Sequence, residues 1–210
     1  KKPRSLPGGA SRKARGKYAS RKSVSFPNFG QLSGIHKQVR EEFISKKRAY
    51  CSNLKKTLEL MGVEPDVRKV ILRVGRLPFA YAWMSHGPAL RPPDEKGVSG
   101  FSFANPVSQA DARSLEKIVF SPAYFVVNLD LTHPHSQLFL RSLKQLVRKI
   151  PKAHIFQEGL NMHQIFCPNE KERLHFEISP SEVDNRVAQS RNFIRQFDDF
   201  VRGFPKSVKR

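Results

Sequence analysis

Between residues 38 and 61, apolar side chains recur at helical spacing (Val39, Phe43, Tyr50, Leu54, Leu58, Met61), and Gly62 follows as a stop. This pattern predicts a first helix over 38–61. Pro65 opens a second helix, with Val67, Val70, Ile71 and Val74 as its inward stripe. Arg68, Lys69, Arg73 and Arg76 fall between those positions, so the two helices read as a hairpin over 38–76 with a basic outer face. Residues 77–117 are full of breakers, among them Pro78, Gly87, Pro88, Pro92, Pro93, Gly97, Gly100 and Pro106. They read as a long irregular loop. A loop of that length needs something to pack on, and Phe79, Tyr81, Trp83, Phe101 and Phe103 supply the apolar surface for it.

The C-terminal part, 118–204, alternates strand-like and helical stretches. Strands are predicted at 118–120 and 124–131, then a helix over 136–150 that buries Phe139, Leu143, Leu146, Val147 and Ile150. Arg141, Lys144 and Arg148 line the other side of that helix. Further strands follow at 153–157, 162–167 and 173–178, the last two joined as a hairpin through Pro168–Lys171. Ser179-Pro180-Ser181-Glu182 has the form of a capping box with proline at the first helical position. It opens a final helix with the stripe Val183, Val187, Ser190, Ile194, Phe197 and Val201, ended by Gly203 and Pro205. This order predicts an α/β fold with a small mixed sheet carrying helices, its strand–helix–strand part a right-handed parallel crossover.

That element order resembles a thioredoxin-like domain over residues 118–204. Thioredoxins place Cys-x-x-Cys after the first main strand, where this chain has Thr132-His133-Pro134-His135-Ser136. With no thiolate to attack, disulfide exchange is excluded there. The resemblance therefore implies a scaffold of the redox-inactive kind found in several mitochondrial ribosomal proteins and in one accessory subunit of respiratory complex I.

Charge sharpens the functional side. The net charge is +20, and the first forty residues hold eleven Lys or Arg and no Asp or Glu. Such an excess is neutralised by a polyanion, of which nucleic acid is the usual one. Residues 1–37, rich in Gly, Ser and Pro, form a basic arm unable to bury itself. Its Lys1, Lys2, Arg4, Arg12, Lys13, Arg15, Lys17, Arg21 and Lys22 are expected on RNA phosphates, with Tyr18 free to stack. Arg68, Lys69, Arg73, Arg76, Arg141, Lys144 and Arg148 extend the expected RNA surface over the two helix faces. Residues 205–210 make a basic tail. No apolar run approaches the ~20 residues a membrane span needs.

Other chemistry is thin. Cys51 and Cys167 do not make a disulfide framework. His133, His135, His163 and Cys167 are ligand types for zinc at a non-standard spacing, and capping or core burial is the plainer role. Asp130, Glu158 and Glu177 sit on or beside strands, the placement a Mg²⁺-dependent nuclease would use, but as scattered carboxylates they read as solvated or ion-paired. There is no phosphate-binding loop and no dinucleotide fingerprint. The expectation is a non-enzymatic constituent of a mitochondrial ribosome, without cofactor, metal or small-molecule substrate, bound to ribosomal RNA and neighbouring ribosomal proteins. A start at Lys1 fits a removed presequence and a matrix location. The alternatives are a free-standing RNA-processing or ribosome-assembly factor and, further off, the nuclease.

Overall fold

A computed structural model describes residues 29–93, 106–159, 161–168 and 175–204. The helical periodicities materialise closely. Helix α1 spans Phe29–Cys51, α2 Leu54–Leu60 and α3 Pro65–Arg76. The expected helix over 38–61 is thus two, interrupted at Ser52-Asn53, and α1 begins well inside the stretch assigned to the arm. Phe43, Leu54 and Leu58 are buried, but Val39 and Met61, at the edges of the stripe, are exposed. In α3, Val67, Val70, Ile71 and Val74 all face inward, as the spacing required. Gly62, at φ 64°, takes the left-handed turn between α2 and α3 at no steric cost.

The region 77–117 is not a structureless loop. It contains strand β1, Ala80–His86, strand β2, Ala89–Arg91, and the short helix α4, Gln109–Ala112; residues 94–105 lie outside the described part. The alternation was there to read. Ala80 and Ala82 point into the core while Tyr81 and Trp83 point away, but alanine is a weak strand signal and the flanking prolines dominate. Strand β3, Ile118–Ser121, runs into β4, Ala123–Leu129, across Pro122. Together they pair antiparallel with β1 and β2, Ala80 opposite Leu129 and, after a one-residue register shift between Trp83 and His86, Arg91 opposite Val119. That register brings Pro88 opposite Pro122, and neither has an N–H to give the ladder. The ribbon therefore splits there into a large sheet and a small one.

Helix α5, Pro134–Lys149, leads to β5, His154–Glu158, and a tight turn to β6, Met162–Cys167. The large sheet has the order β1-β4-β6-β5 with every neighbour antiparallel. The crossover through α5 does join two strands of like direction, but β6 is inserted between them. This is a split strand–helix–strand unit. The adjacent parallel pair expected from a thioredoxin-like domain is therefore replaced. The hairpin is also reassigned. It links β5 to β6, whereas β7, Phe176–Ile178, pairs with β3 in the small sheet, order β2-β3-β7. The fold is α+β with antiparallel sheets.

Helix α6, Val183–Gly203, follows a single 3₁₀ turn at Pro180–Glu182. Glu182 accepts the Ser179 N–H at 3.1 Å, closing the cap read from the sequence. Its stripe spans both sheets: Val183 and Val187 pack with Leu90, Ile118, Phe120 and Ile178, while Phe193, Ile194, Phe197 and Val201 join the main core. That core lies between the inner face of the large sheet and helices α3, α5 and α6. Helix α1 lies along the β1 edge, with Phe43 and Tyr50 each 5.5 Å from the Tyr81 ring.

Candidate nucleic-acid interface

The two basic helix faces predicted from sequence come out differently. On α3, Arg68 lies 3.2 Å from Glu59, Lys69 2.9 Å from Asp66, and Arg73 3.1 Å from Asp198 on α6. Arg68 and Arg73, both half-buried, are thus engaged within the chain, Arg73 tying two helices together, whereas the Lys69 pair is exposed and weak. Among the described residues, Arg76 forms no ion pair. It shares a surface groove of about 470 Å³ with Lys55 and Lys56, a lysine doublet that sequence reading passed over.

On α5 the picture is simpler. Arg141 and Arg148 are exposed, Lys144 is half-buried, and Lys149 closes the last turn. Among the described residues none of the four forms an ion pair. Cations near a helix C-terminus are also favoured by the helix dipole, so this face keeps its charge at little cost. The arm residues Lys1, Lys2, Arg4, Arg12, Lys13, Arg15, Lys17, Tyr18, Arg21 and Lys22 lie outside the described part of the chain, as does the tail 205–210.

The start of α5 is a polar turn. The Asp130 carboxylate accepts the Thr132 N–H at 3.0 Å, and His133 Nδ1 accepts the His135 N–H at 3.2 Å as the helix cap. Ser136 donates its hydroxyl to the Asp130 carbonyl. Burial lowers the His133 pKa, and the nearby His135, Arg40 and Lys47 push it the same way, against Asp130. Neighbouring α1 thus adds positive field to this end of α5.

The outer face of the large sheet carries aromatic side chains in cross-strand rows. Tyr81, Asn128 and Met162 form one row, Trp83, Val126 and Gln164 the next, and Tyr124 and Phe166 face each other beyond, ring centroids 4.8 Å apart. Phe156 abuts Phe166 at 5.8 Å. Where α1 crosses the β1 end of this face, a groove of about 610 Å³ opens between Lys46, Ala49 and Tyr50 on one side and Tyr81, Trp83, Asn128 and Met162 on the other. Tyr50 sits 6.2 Å from Trp83. Burial pushes the Tyr50 phenol up to about 12 and raises Tyr81 too, so both keep their hydroxyl protons near neutrality.

The catalytic constellations considered from sequence do not assemble. Asp130 follows β4 in the large sheet. Glu177 is opposite Val119 in the small one, on the order of 30 Å away along the strand. It lies 3.7 Å from Lys117. Cys167 is buried, with its thiol pushed up to about 12 by desolvation, which disfavours the thiolate a metal would need. Among the described residues, no group of three or more His, Cys, Asp or Glu side chains is placed to hold a metal ion. Nor is any helix among them long and apolar enough to cross a membrane.

No protein-family model matches the chain, and no curated protein does. A solved structure shares its overall fold. The structure of the PH1069 protein from Pyrococcus horikoshii superposes with a TM-score of 0.50 at 10% identity, covering 78% of this chain and 92% of that one. A second structure of PH1069, from Pyrococcus horikoshii OT3, gives 0.45 at 12% identity, with 77% and 91% covered. At such identity the likeness concerns the fold alone.

Proposed function

We propose that this protein is a non-catalytic RNA-binding constituent of a ribonucleoprotein particle, a ribosome of the mitochondrial type, where it contacts ribosomal RNA and adjoining proteins. The observation that carries the reading is the uncompensated positive charge: +20 overall, with eleven cations and no carboxylate in the first forty residues. The described part adds Arg141, Lys144 and Arg148 on one helix face, without an ion pair there among the described residues. Cations so arranged displace condensed counterions from a phosphate backbone, and the entropy of that release supplies sequence-independent affinity. The aromatic outer face of the large sheet supports the same partner, because stacked bases are how antiparallel sheets take single-stranded RNA. The reading stands on charge and surface, and needs no thioredoxin-like ancestry.

Gradient sedimentation of an organelle lysate containing the tagged protein tests it. Co-migration with one ribosomal subunit is the expected result. Recovery at the top of the gradient, together with tight salt-dependent binding to free RNA, would point instead to a processing or assembly factor. Failure to bind RNA at low salt would end the RNA reading altogether.

A further inference from the structure

We propose that the groove between α1 and the outer face of the large sheet holds one unstacked base of an RNA strand, a reading that rests on the RNA-binding function above. Two independent features converge on this occupant. The first is the walls. Tyr50, Tyr81 and Trp83 present three ring systems to one space, and Trp83, the only tryptophan in the chain, stays 44% exposed on a sheet whose neighbouring rings are covered. Flat π-faces of this kind stack on any base.

The second feature is the floor. Asn128 is only 9% exposed, yet among the described residues its side-chain amide makes no hydrogen bond. Its polar atoms are not sealed in the interior but open on the groove, where a ligand that enters can bond them. An amide offers a donor and an acceptor side by side, the complement of a base edge such as the amino group and ring nitrogen of adenine. An aliphatic ligand would satisfy the walls and strand the amide; a nucleobase satisfies both. Lys46 stands at the rim, held 2.6 Å from Glu42 in an exposed ion pair on one helix turn. Such pairs are weak, so the ammonium can exchange that carboxylate for a phosphate of the same nucleotide.

Trp83 makes the test direct, because its emission reports stacking. The intact protein is titrated with a short oligoadenylate and with an abasic strand of equal length. The oligoadenylate should quench Trp83, while the abasic strand binds through its phosphates without quenching. Followed by anisotropy of labelled strands, Trp83→Ala should weaken oligoadenylate binding roughly tenfold, the loss of one stacked base, and leave the abasic strand unchanged. Trp83→Phe should restore most of that loss, and Asn128→Ala should reduce discrimination among bases. Equal quenching by both strands, or unchanged oligoadenylate affinity in Trp83→Ala, overturns the proposal. Loss of a protein partner by Trp83→Ala with strand affinity intact would also overturn it, and assign the groove to that partner. If strands bind without quenching, only the groove assignment falls; if neither strand binds, the RNA reading falls with it.

Discussion

Ser190 shows how much one small side chain can join. From the middle of α6 its hydroxyl donates to the Cys167 carbonyl at 2.8 Å and accepts the Ala123 N–H at 3.3 Å. It thereby satisfies the last residue of β6 and the first of β4, at a point where the following Pro168 and the preceding Pro122 cannot donate. Ser190→Ala should destabilise the fold by about 0.5–1.5 kcal/mol, since it removes buried hydrogen bonds to two strand ends that still pair with each other in the ladder. Urea unfolding of the variant would measure the loss. His163, in β6, is 1% exposed, with the Asn161 backbone beside its ring as a partial polar partner. Burial depresses its pKa below 6.5. The unfolded chain then binds the proton more readily than the folded one, so stability is complete above about 6.5 and is lost as pH falls through the lowered folded value. His86, likewise depressed by burial, acts in the same window. His163→Leu should therefore flatten the decline in unfolding free energy between pH 7 and 5, without abolishing it.

Among the helices, α6 buries the most apolar side chains. Phe197 is fully buried, with its ring 5.0 Å from Phe125 in an edge contact and 6.0 Å from Phe193. Phe197→Ala should cost about 3–5 kcal/mol by calorimetry or denaturant titration, the range for a large cavity in a rigid core. Helices α3, α5 and α6 were legible in the sequence because each combines a 3.6-residue apolar stripe with a terminal signal. Strand β1 was not, because its inward residues are alanines and prolines flank it. Strand pairing was out of reach for a different reason: whether β6 pairs with β5 or β7 is decided by residues far apart in the chain. The same limit governs the site. Arg68, Lys69 and Arg73 were identifiable as basic, but Asp198, which meets Arg73, comes from the far end of the chain. The groove draws Tyr50 from α1, Trp83 from β1 and Asn128 from β4, three elements with no shared local pattern.

At the scale of the whole molecule, charge separates into cations with internal partners and cations without. RNA affinity should fall linearly on a log–log plot against salt, with a slope reporting the number of phosphates engaged. Replacing both Arg141 and Arg148 by Ala should reduce the magnitude of that slope by about 2 and weaken binding evenly across sequences. The double replacement of Arg68 and Arg73 should change it less, because both are half-buried and already compensated by Glu59 and Asp198. Filter binding over a range of salt concentrations distinguishes the two outcomes. Equal slopes for both double variants would show that compensation inside the chain does not shield a cation from RNA.

The facing prolines at 88 and 122 also divide the molecule's cooperativity. With no ladder bond at that point, the small sheet leans on its own modest cluster and on the first turns of α6, whereas the large sheet shares the main core. Opening of the small unit then exposes far less apolar surface than global unfolding does, so it occurs more often. Amide protons of β2, β3 and β7 should exchange with solvent well before those of β4 and β6, leaving α6 half-anchored while the larger body stays closed.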